Sequence, residues 1–528
     1  MAEYRRTVKD VNLQNRYVFM RAGLDVPLDP SKPLSDPKRV TDDTRILDIM
    51  PTAEYILTHA GKLVLAAGWC GRPEGEDPQF SMAPVAKRIE QILGEKGLLK
   101  HPVLFVPNCY EDNTPRSVYR HQDEVRAMAA TLKPGQLLVL ENVRYDGEAM
   151  LKKREQHLEF AKFFASLVGE NAVYVNEAET QNHRPEPTIM TTPLIIAQNG
   201  GDVVYGFQYA NVLDNIGTII QKLETAERGS FVFGLCGLKI ESDPGITSKI
   251  TVARDLIDRM RSRDVIITGG AVTYTFLLAQ YFDSRIEPVA DQAAAIVEKY
   301  DQMILDQTKG LNEEDKVKEL TKRLQKQKSE ELKSLIGITD EEIRQLVGSS
   351  YIKWGQEGEQ IVFAHNVIAK AHSRGVRVIT AYDHTIANGS PNKQGILPVE
   401  TAIKMYSNAT RIPQGWLGVA PGPKTLEKIA EIIRNAGLYI QSGPYSIEDS
   451  RVEDTSATDR TIFAAVLQCK ENGGTTIAAG GDTTFRVNVC NAQEAFETVT
   501  SAGGATLELI LGKSVGRDAV EEAQEFKK

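Results

Sequence analysis

A chain of 528 residues is longer than one hydrophobic core usually organises, so we expect two α/β domains. With 62 Lys and Arg against 71 Asp and Glu, the net charge of -9 and isoelectric point of about 5.6 argue against broad nucleic-acid binding but leave room for a local basic pocket. The five cysteines, Cys70, Cys109, Cys236, Cys469 and Cys490, lack metal-ligand spacing and no apolar run reaches bilayer length; a reduced cytoplasmic protein, bound to neither membrane nor nucleic acid, is expected.

In chain order, residues 16–20 make a short apolar strand that runs into Arg21-Ala22-Gly23-Leu24-Asp25-Val26-Pro27. Similar runs follow at 63–67, 103–106, 137–140 and 172–175, with helical patterns such as 44–59 and 82–93 between them. Short buried strands alternating with helices predict a parallel sheet covered on both faces. Ligands of such sheets lie beyond the carboxyl ends of the strands, which brings Arg21, Arg72 and Arg144 to one edge. With Arg45 and Arg184 they predict a basic pocket, and guanidinium forks suit a small phosphate or carboxylate guest. His183 reads as a local hydrogen-bonding residue and not as a general base.

Residues 208–223 read as a connecting helix, after which the alternation restarts at 230–233, 264–268, 376–380, 438–440 and 475–478. Here the strand ends carry glycine in place of arginine: Gly234 to Gly237, Gly269-Gly270, Gly418 to Pro423, Gly443-Pro444, Gly480-Gly481 and Gly503-Gly504. Glycine lets backbone approach a phosphate, the following helix offers free N–H groups, and an acid such as Asp482 can hold a metal. Lys239 is expected to point to the same edge as Asp482. The stretch 285–349 interrupts this half, and 312–346 reads as exposed amphipathic helices, either a solvated hairpin or a partner-binding arm that can be removed with both lobes intact.

Taken together the segments resemble the phosphoglycerate kinase family over nearly the whole chain except the inserted arm. The match is carried by Arg21…Asp25-Val26-Pro27, Thr41-Asp42-Asp43-Thr44-Arg45, Gly71-Arg72-Pro73, Glu141-Asn142-Val143-Arg144 and His183-Arg184, then by Gly237-Leu238-Lys239, Gly415-Trp416-Leu417-Gly418, Gly422-Pro423-Lys424, Gly443-Pro444, Gly480-Gly481-Asp482-Thr483 and Gly503-Gly504-Ala505-Thr506. The resemblance implies two doubly wound parallel-sheet α/β domains joined by a hinge helix. Its layout is a substrate lobe over 1–205, a helix over 206–225, a nucleotide lobe over 226–505 with an insertion at about 285–349, and a tail over 506–528. It further implies transfer of a phosphoryl group between 1,3-bisphosphoglycerate and ADP, or 3-phosphoglycerate and ATP in reverse, with magnesium. Arg45 and Lys239 match the charge-stabilising residues, and Arg21, Asp25, Arg72, Arg144 and Arg184 the substrate side. Gly237, Lys249, Gly270, Gly422, Pro423, Asp449, Gly480, Gly481, Thr483, Gly503 and Gly504 match the nucleotide side, with Asp482 as the metal-side acid.

The departures fall at the site. Gly23 stands where the family has an acid, Trp69 where it has a histidine, and Asp25 where it has an asparagine. Losing one hydrogen bond to a charged ligand group costs roughly 1.5–3 kcal/mol. Leu238, Cys236, Ala271 and Ala420 alter the nucleotide side, and the longer spacing after Lys239 leaves open whether Lys249 takes the family's second-lysine position. Two expectations of different class stand: a divergent working kinase, or a weakened family member with a structural or interaction role through its arm.

Overall fold

The computed structural model describes residues 5–66, 68, 70–71, 73, 75–110, 114–147, 154–225, 228–237, 249–308, 314–350, 356–388, 403–406, 411–446, 453–500 and 502–526. The chain divides into two compact units, one of Met1–Thr218 with Glu508–Lys528 and one of Ile219–Leu507. Helix Phe207–Glu224 carries the chain from the first to the second.

The first unit is built on a six-stranded, all-parallel sheet of β1 (Tyr17–Ala22), β2 (Lys62–Ala66), β3 (Leu104–Val106), β4 (Leu137–Leu140), β5 (Val173–Glu177) and β6 (Asp202–Tyr205), in the order β3-β4-β2-β1-β5-β6. Every residue of β4 and β5 is buried, as expected of parallel strands covered on both faces. The covering helices bury one face each: Thr44–Thr58 turns Ile46, Ile49, Ala53, Ile56 and Leu57 inward, and Ala83–Glu95 does the same with Val85, Ile89 and Ile92. The C-terminal helix Val515–Glu525 belongs to this unit, with Ala519, Val520 and Ala523 buried and Gly516 N–H donating to the Asn182 carbonyl at 2.9 Å.

The second unit repeats the plan with β7 (Ser230–Leu235), β8 (Val265–Thr268), β9 (Arg377–Ile379), β10 (His384–Ala387), β11 (Ile403–Tyr406), β12 (Leu417–Pro421), β13 (Ala436–Ser442), β14 (Thr475–Ala479) and β15 (Thr498–Thr500). Six of these make a parallel sheet, β15-β14-β13-β7-β8-β9, and the other three an antiparallel sheet, β11-β10-β12. Leu417–Pro421, expected as a glycine-rich strand-end turn, is itself a strand, because β10 supplies an antiparallel partner that the local sequence does not reveal. β6 and β15 escape sequence reading for a different reason. β6 opens on Asp202 and β15 sets Val499 between two threonines, so neither is a continuous apolar run.

The insertion folds as a helical hairpin, Ala290–Thr308 and Glu314–Ile336, around a small core of Tyr300, Ile304 and Leu324. It is less separable than its polar sequence implies. Lys328 is buried and its ammonium reaches Glu359 at 2.6 Å and Asp301 at 2.8 Å, while Lys333 reaches Glu357 at 2.7 Å. Gly358 has room for no side chain, since a Cβ there would press on the Ser329 carbonyl. Glu357 and Glu359 open the helix Glu357–Ser373 of the main unit and are themselves buried, and the hairpin supplies a lysine to each. Among the described residues no helix is long and apolar enough to cross a membrane, and none of the five cysteines is in a disulfide bond, four of them being buried.

Breaking a buried ion pair from one side leaves the other charge uncompensated. Lys328→Ala is therefore expected to lower the unfolding free energy of the second unit by about 3–5 kcal/mol, whereas exposed Lys326→Ala stays within about 0.5 kcal/mol. Denaturant titration of both variants checks this, and equal effects would refute the anchoring role.

Candidate functional site

In an open parallel sheet the strand order reverses at one place, and the crevice beyond the carboxyl ends there is where a ligand fits. In the first unit that place lies between β1, from which the chain proceeds to β2, and β5, which begins the other direction. Arg21 pairs in register with Ala66 and Asn176, at the carboxyl ends of β1, β2 and β5. It is fully buried, however, and its guanidinium donates to Thr188 Oγ1 at 2.7 Å, Gln181 Oε1 at 2.7 Å, the Ala22 carbonyl at 2.5 Å and Glu186 Oε2 at 2.6 Å. Arg21, expected to hold substrate, is thus committed to the interior, where it ties β1 to the 3-10 turn Glu179–Gln181 and the segment after it.

Other expected residues do come together. Asp25 Oδ1 accepts from the Gly71 N–H at 2.7 Å, the Gly71 carbonyl accepts from Arg144 at 3.0 Å, and Arg45 donates to the Asp25 carbonyl with its carboxylate 3.8 Å away. Asn142 holds this turn by donating to the Cys70 and Phe80 carbonyls, each at 2.9 Å, and accepting from the Arg144 N–H at 3.1 Å. Arg45 lies in the first turn of Thr44–Thr58, where the helix dipole disfavours a cation, so local helix stability does not account for it. Arg184 is half-buried on the turn whose Gln181 grips Arg21, its N–H donating to the Gln181 carbonyl at 2.9 Å. His183 beside it is pushed down to about 3 by burial and then by the Arg184 charge, so the imidazole is neutral near pH 7. Trp69 and Arg72 lie outside the described residues.

Two features of this edge were not legible locally. A side chain at Gly23 would collide with Thr180 Oγ1, a hydroxyl that is itself buried without a hydrogen-bond partner among the described residues. The space in which an acid at position 23 would stand is therefore occupied by Thr180, 157 positions later in the chain. Asp48, one turn beyond Arg45, is raised to about 6 by burial against the opposing effect of the Arg45 charge. Its i, i+3 spacing from Arg45 was the only available signal.

The second unit's order reverses between β7, which leads to β8 and β9, and β13, which leads to β14 and β15. The Gly237 and Gly443 turns meet there. A Cβ on Gly443, whose φ is 99°, would collide with the Cys236 carbonyl, so only glycine allows this approach. Lys249 closes the junction from its half-buried position by donating to the Cys236 carbonyl at 2.9 Å and the Ser442 carbonyl at 3.3 Å. Gly270 follows β8 and donates to the Tyr445 carbonyl at 3.1 Å. Helices Gly481–Val489 and Gly503–Ile510 start side by side, with Gly480 and Gly503 backbones in contact.

The roles within this group differ from the expectation. Thr483 is buried, its hydroxyl donating to the Ala479 carbonyl at 3.0 Å and accepting from the Gly443 N–H at 2.8 Å, so it braces the turns. Gly422 and Pro423 open the helix Pro423–Arg434, but Asp383 already takes that helix's free donors, accepting from Lys424 N–H at 3.0 Å and Thr425 N–H at 2.8 Å. Gly481 and Asp482 are exposed, Gly504 faces open space, and Asp482 makes no hydrogen bond or ion pair among the described residues. A cleft lined by Gly269, Gly270, Ala420 and Pro421 shares Tyr274 and His384 with an apolar cavity of about 360 Å³ whose far wall includes Leu346 and Ile412. Leu238, Lys239 and Asp449 lie outside the described residues.

Two doubly wound parallel-sheet units on one chain, each with its polar or glycine-rich turns at the carboxyl edge, define an α/β protein of two units. The family model for Phosphoglycerate kinase matches residues 8–346 and 343–513. Curated relatives include a phosphoglycerate kinase of Chloroflexus aggregans, 27% identical over 98% of this chain and 100% of its own, and a cytosolic one of Triticum aestivum, 28% identical over 98% of each. Solved structures of phosphoglycerate kinases from Coxiella burnetii and Pyrococcus horikoshii share the fold with TM-scores of 0.60 and 0.64 at 19% and 16% identity, each covering 99% of this chain and 100% and 98% of its own. The chain belongs to the phosphoglycerate kinase family.

Gly23→Asp alone is expected to destabilise the first unit by about 1–3 kcal/mol through overpacking against Thr180, and Gly23→Asp with Thr180→Gly to recover most of that loss. Thermal melts of the two variants decide it; a single variant as stable as wild type would show that the crevice has room. A second expectation concerns pH. Burial pushes Glu141 and Glu177 up to about 7, despite hydrogen bonds to Glu141 from Met82 and Ser81 and to Glu177 from Thr52 and Tyr209. Each carboxyl holds its proton more tightly folded than unfolded, so its contribution is complete below about 4.5 and is lost as pH rises through about 7. The amide of Glu177→Gln mimics the protonated acid and should remove up to about 3 kcal/mol of that decline between pH 5 and 8. His183 has the opposite slope below pH 6.5, and comparing variant with wild type cancels it. Identical pH profiles would show that Glu177 is ionised throughout.

Proposed function

We propose that this chain moves a phosphoryl group between 1,3-bisphosphoglycerate and ADP, with 3-phosphoglycerate and ATP as the reverse pair, as a cytoplasmic enzyme of glycolysis and gluconeogenesis. The observation that carries the reading is the second unit's switch point. There the Gly237 and Gly443 turns converge beside the Lys249 ammonium, and two helices open on glycine next to an exposed acid. Backbone N–H groups and a cation at such a place suit the phosphates of a nucleotide. The apolar cavity sharing Tyr274 and His384 with the neighbouring cleft offers space for a planar base.

The reaction needs no covalent enzyme intermediate. Positioning and neutralisation of charge on the moving group suffice. In this proposal Arg72, Arg144 and Arg184 hold the anionic substrate while Arg45 and Lys239 stabilise the phosphoryl group in transfer. Among the described residues no group of three or more His, Cys, Asp or Glu is placed to hold a metal ion. The single free carboxylate of Asp482 fits magnesium held mainly by nucleotide phosphates and water. Magnesium so bound would neutralise phosphate charge, with Asp482 as its protein ligand.

A second reading, weakened or lost turnover with a structural or interaction role, is favoured by two observations: Thr180 fills the space at Gly23, and Arg21 is locked to Glu186. A coupled assay with 3-phosphoglycerate and Mg-ATP separates the two. The first reading expects turnover that falls at least about a thousandfold in Lys239→Ala with an unchanged melting temperature. Turnover that arises only after Trp69→His, Gly23→Asp and Thr180→Gly are combined would establish that the substrate lobe alone is disabled. If neither chain turns over, the kinase reading falls.

A further inference from the structure

Two glycine turns of the second unit, those after β13 and β14, are tied by a chain of buried side chains that runs in one direction. The Tyr445 and Tyr439 hydroxyls lie 3.2 Å apart, and Tyr439 donates its proton to Gln441 Oε1 at 3.0 Å, so the proton between the two phenols is Tyr445's. Gln441 Nε2 donates to the Gly443 carbonyl at 3.1 Å, the Gly443 N–H to Thr483 Oγ1 at 2.8 Å, and the Thr483 hydroxyl to the Ala479 carbonyl at 3.0 Å. Each donor is used once, and every side chain in the series is buried. The series starts at Tyr445 beyond β13, passes through the Gly443 turn and ends on the last residue of β14, and the Gly443 turn itself lies against the Cys236 carbonyl beyond β7.

The Tyr445 ring is held by shape as well as by its hydroxyl. A Cβ on Gly269 would lie 2.5 Å from the ring and one on Gly234 2.8 Å from the hydroxyl oxygen, so both glycines are needed to admit it. We infer that Tyr445 is a positioning residue: through Tyr439, Gln441 and Gly443 it sets the Thr483 turn against the Gly237 turn and thereby shapes the phosphate cradle. This rests on the nucleotide reading of the same turns. Buried networks whose members are all satisfied rigidify their surroundings, and removing one member loosens the others.

The test uses the full chain and Tyr445→Phe, which keeps the ring and removes the hydroxyl, together with Tyr439→Phe and the double variant. In the absence of ligand, hydrogen exchange at the Gly443 N–H is expected to quicken about fivefold or more in either single variant. The dissociation constant for Mg-ADP should rise roughly five- to tenfold, with binding of 3-phosphoglycerate unchanged and the double variant no weaker than either single one. In the assay KM for the nucleotide should rise while kcat holds. Unchanged exchange at Gly443, or equal losses of nucleotide and 3-phosphoglycerate binding, would overturn the proposal. Wild-type protein that fails to bind Mg-ADP would refute the nucleotide reading instead, and Gly443 exchange alone would then decide whether the network sets the turns.

Discussion

The constraint on which the second unit depends is the approach of two backbones where β7 and β13 end. The Gly443 turn lies against the Cys236 carbonyl so closely that a methyl group has no space, and that contact places Lys249 over both strand ends and Thr483 over the next turn. A parallel sheet leaves its terminal carbonyls and amides to be satisfied beyond the strands. Here they are satisfied by one another and by Lys249. The same topological place in the first unit is filled by side chains: Arg21 with Glu186 inside, Thr180 over Gly23 outside. One plan, used twice, ends in a backbone cradle in one unit and a side-chain lattice in the other.

Buried ion pairs fix how distant segments meet. Arg228 grips Asp264 through two bonds of 2.8 and 2.6 Å between the start of β7 and the start of β8. Arg486, on the helix that Gly480 caps, is buried against Asp459 of Glu453–Glu471, and Lys328 brings the inserted hairpin onto Glu359. Desolvation offsets much of the attraction in such pairs, so their main effect is specificity of arrangement: each charge tolerates only the partner provided. The inserted hairpin, polar in sequence, is in this way joined to the main unit by buried charge.

Alternating apolar runs and helical stretches foretold nearly all the central parallel strands, because a strand buried on both faces must be continuously apolar over its own few residues. The family motifs likewise name Asp25, Arg45 and Arg144 and the Gly237, Gly443 and Gly480 turns, since each motif is a local requirement of backbone or charge. The edge strands β6 and β15 and the antiparallel β10–β12 sheet carried no such signature. Their stability comes from neighbours in space.

The fate of individual site residues was settled at the same distance. Arg21 and Arg45 both read as anion-facing arginines, yet one is enclosed by Glu186 and Gln181 and the other is half-exposed beside Asp25. Gly422-Pro423 and Gly480-Gly481 both match the nucleotide side, yet Asp383 takes the helix donors at the first while Gly481 at the second stays exposed. By itself the sequence determined the family, the doubled α/β plan and the residue types at each strand end, because these follow from local burial, backbone freedom and charge. Only the tertiary structure decided which of those residues face outward, because a side chain's partner is chosen by segments far along the chain that meet it only once folded.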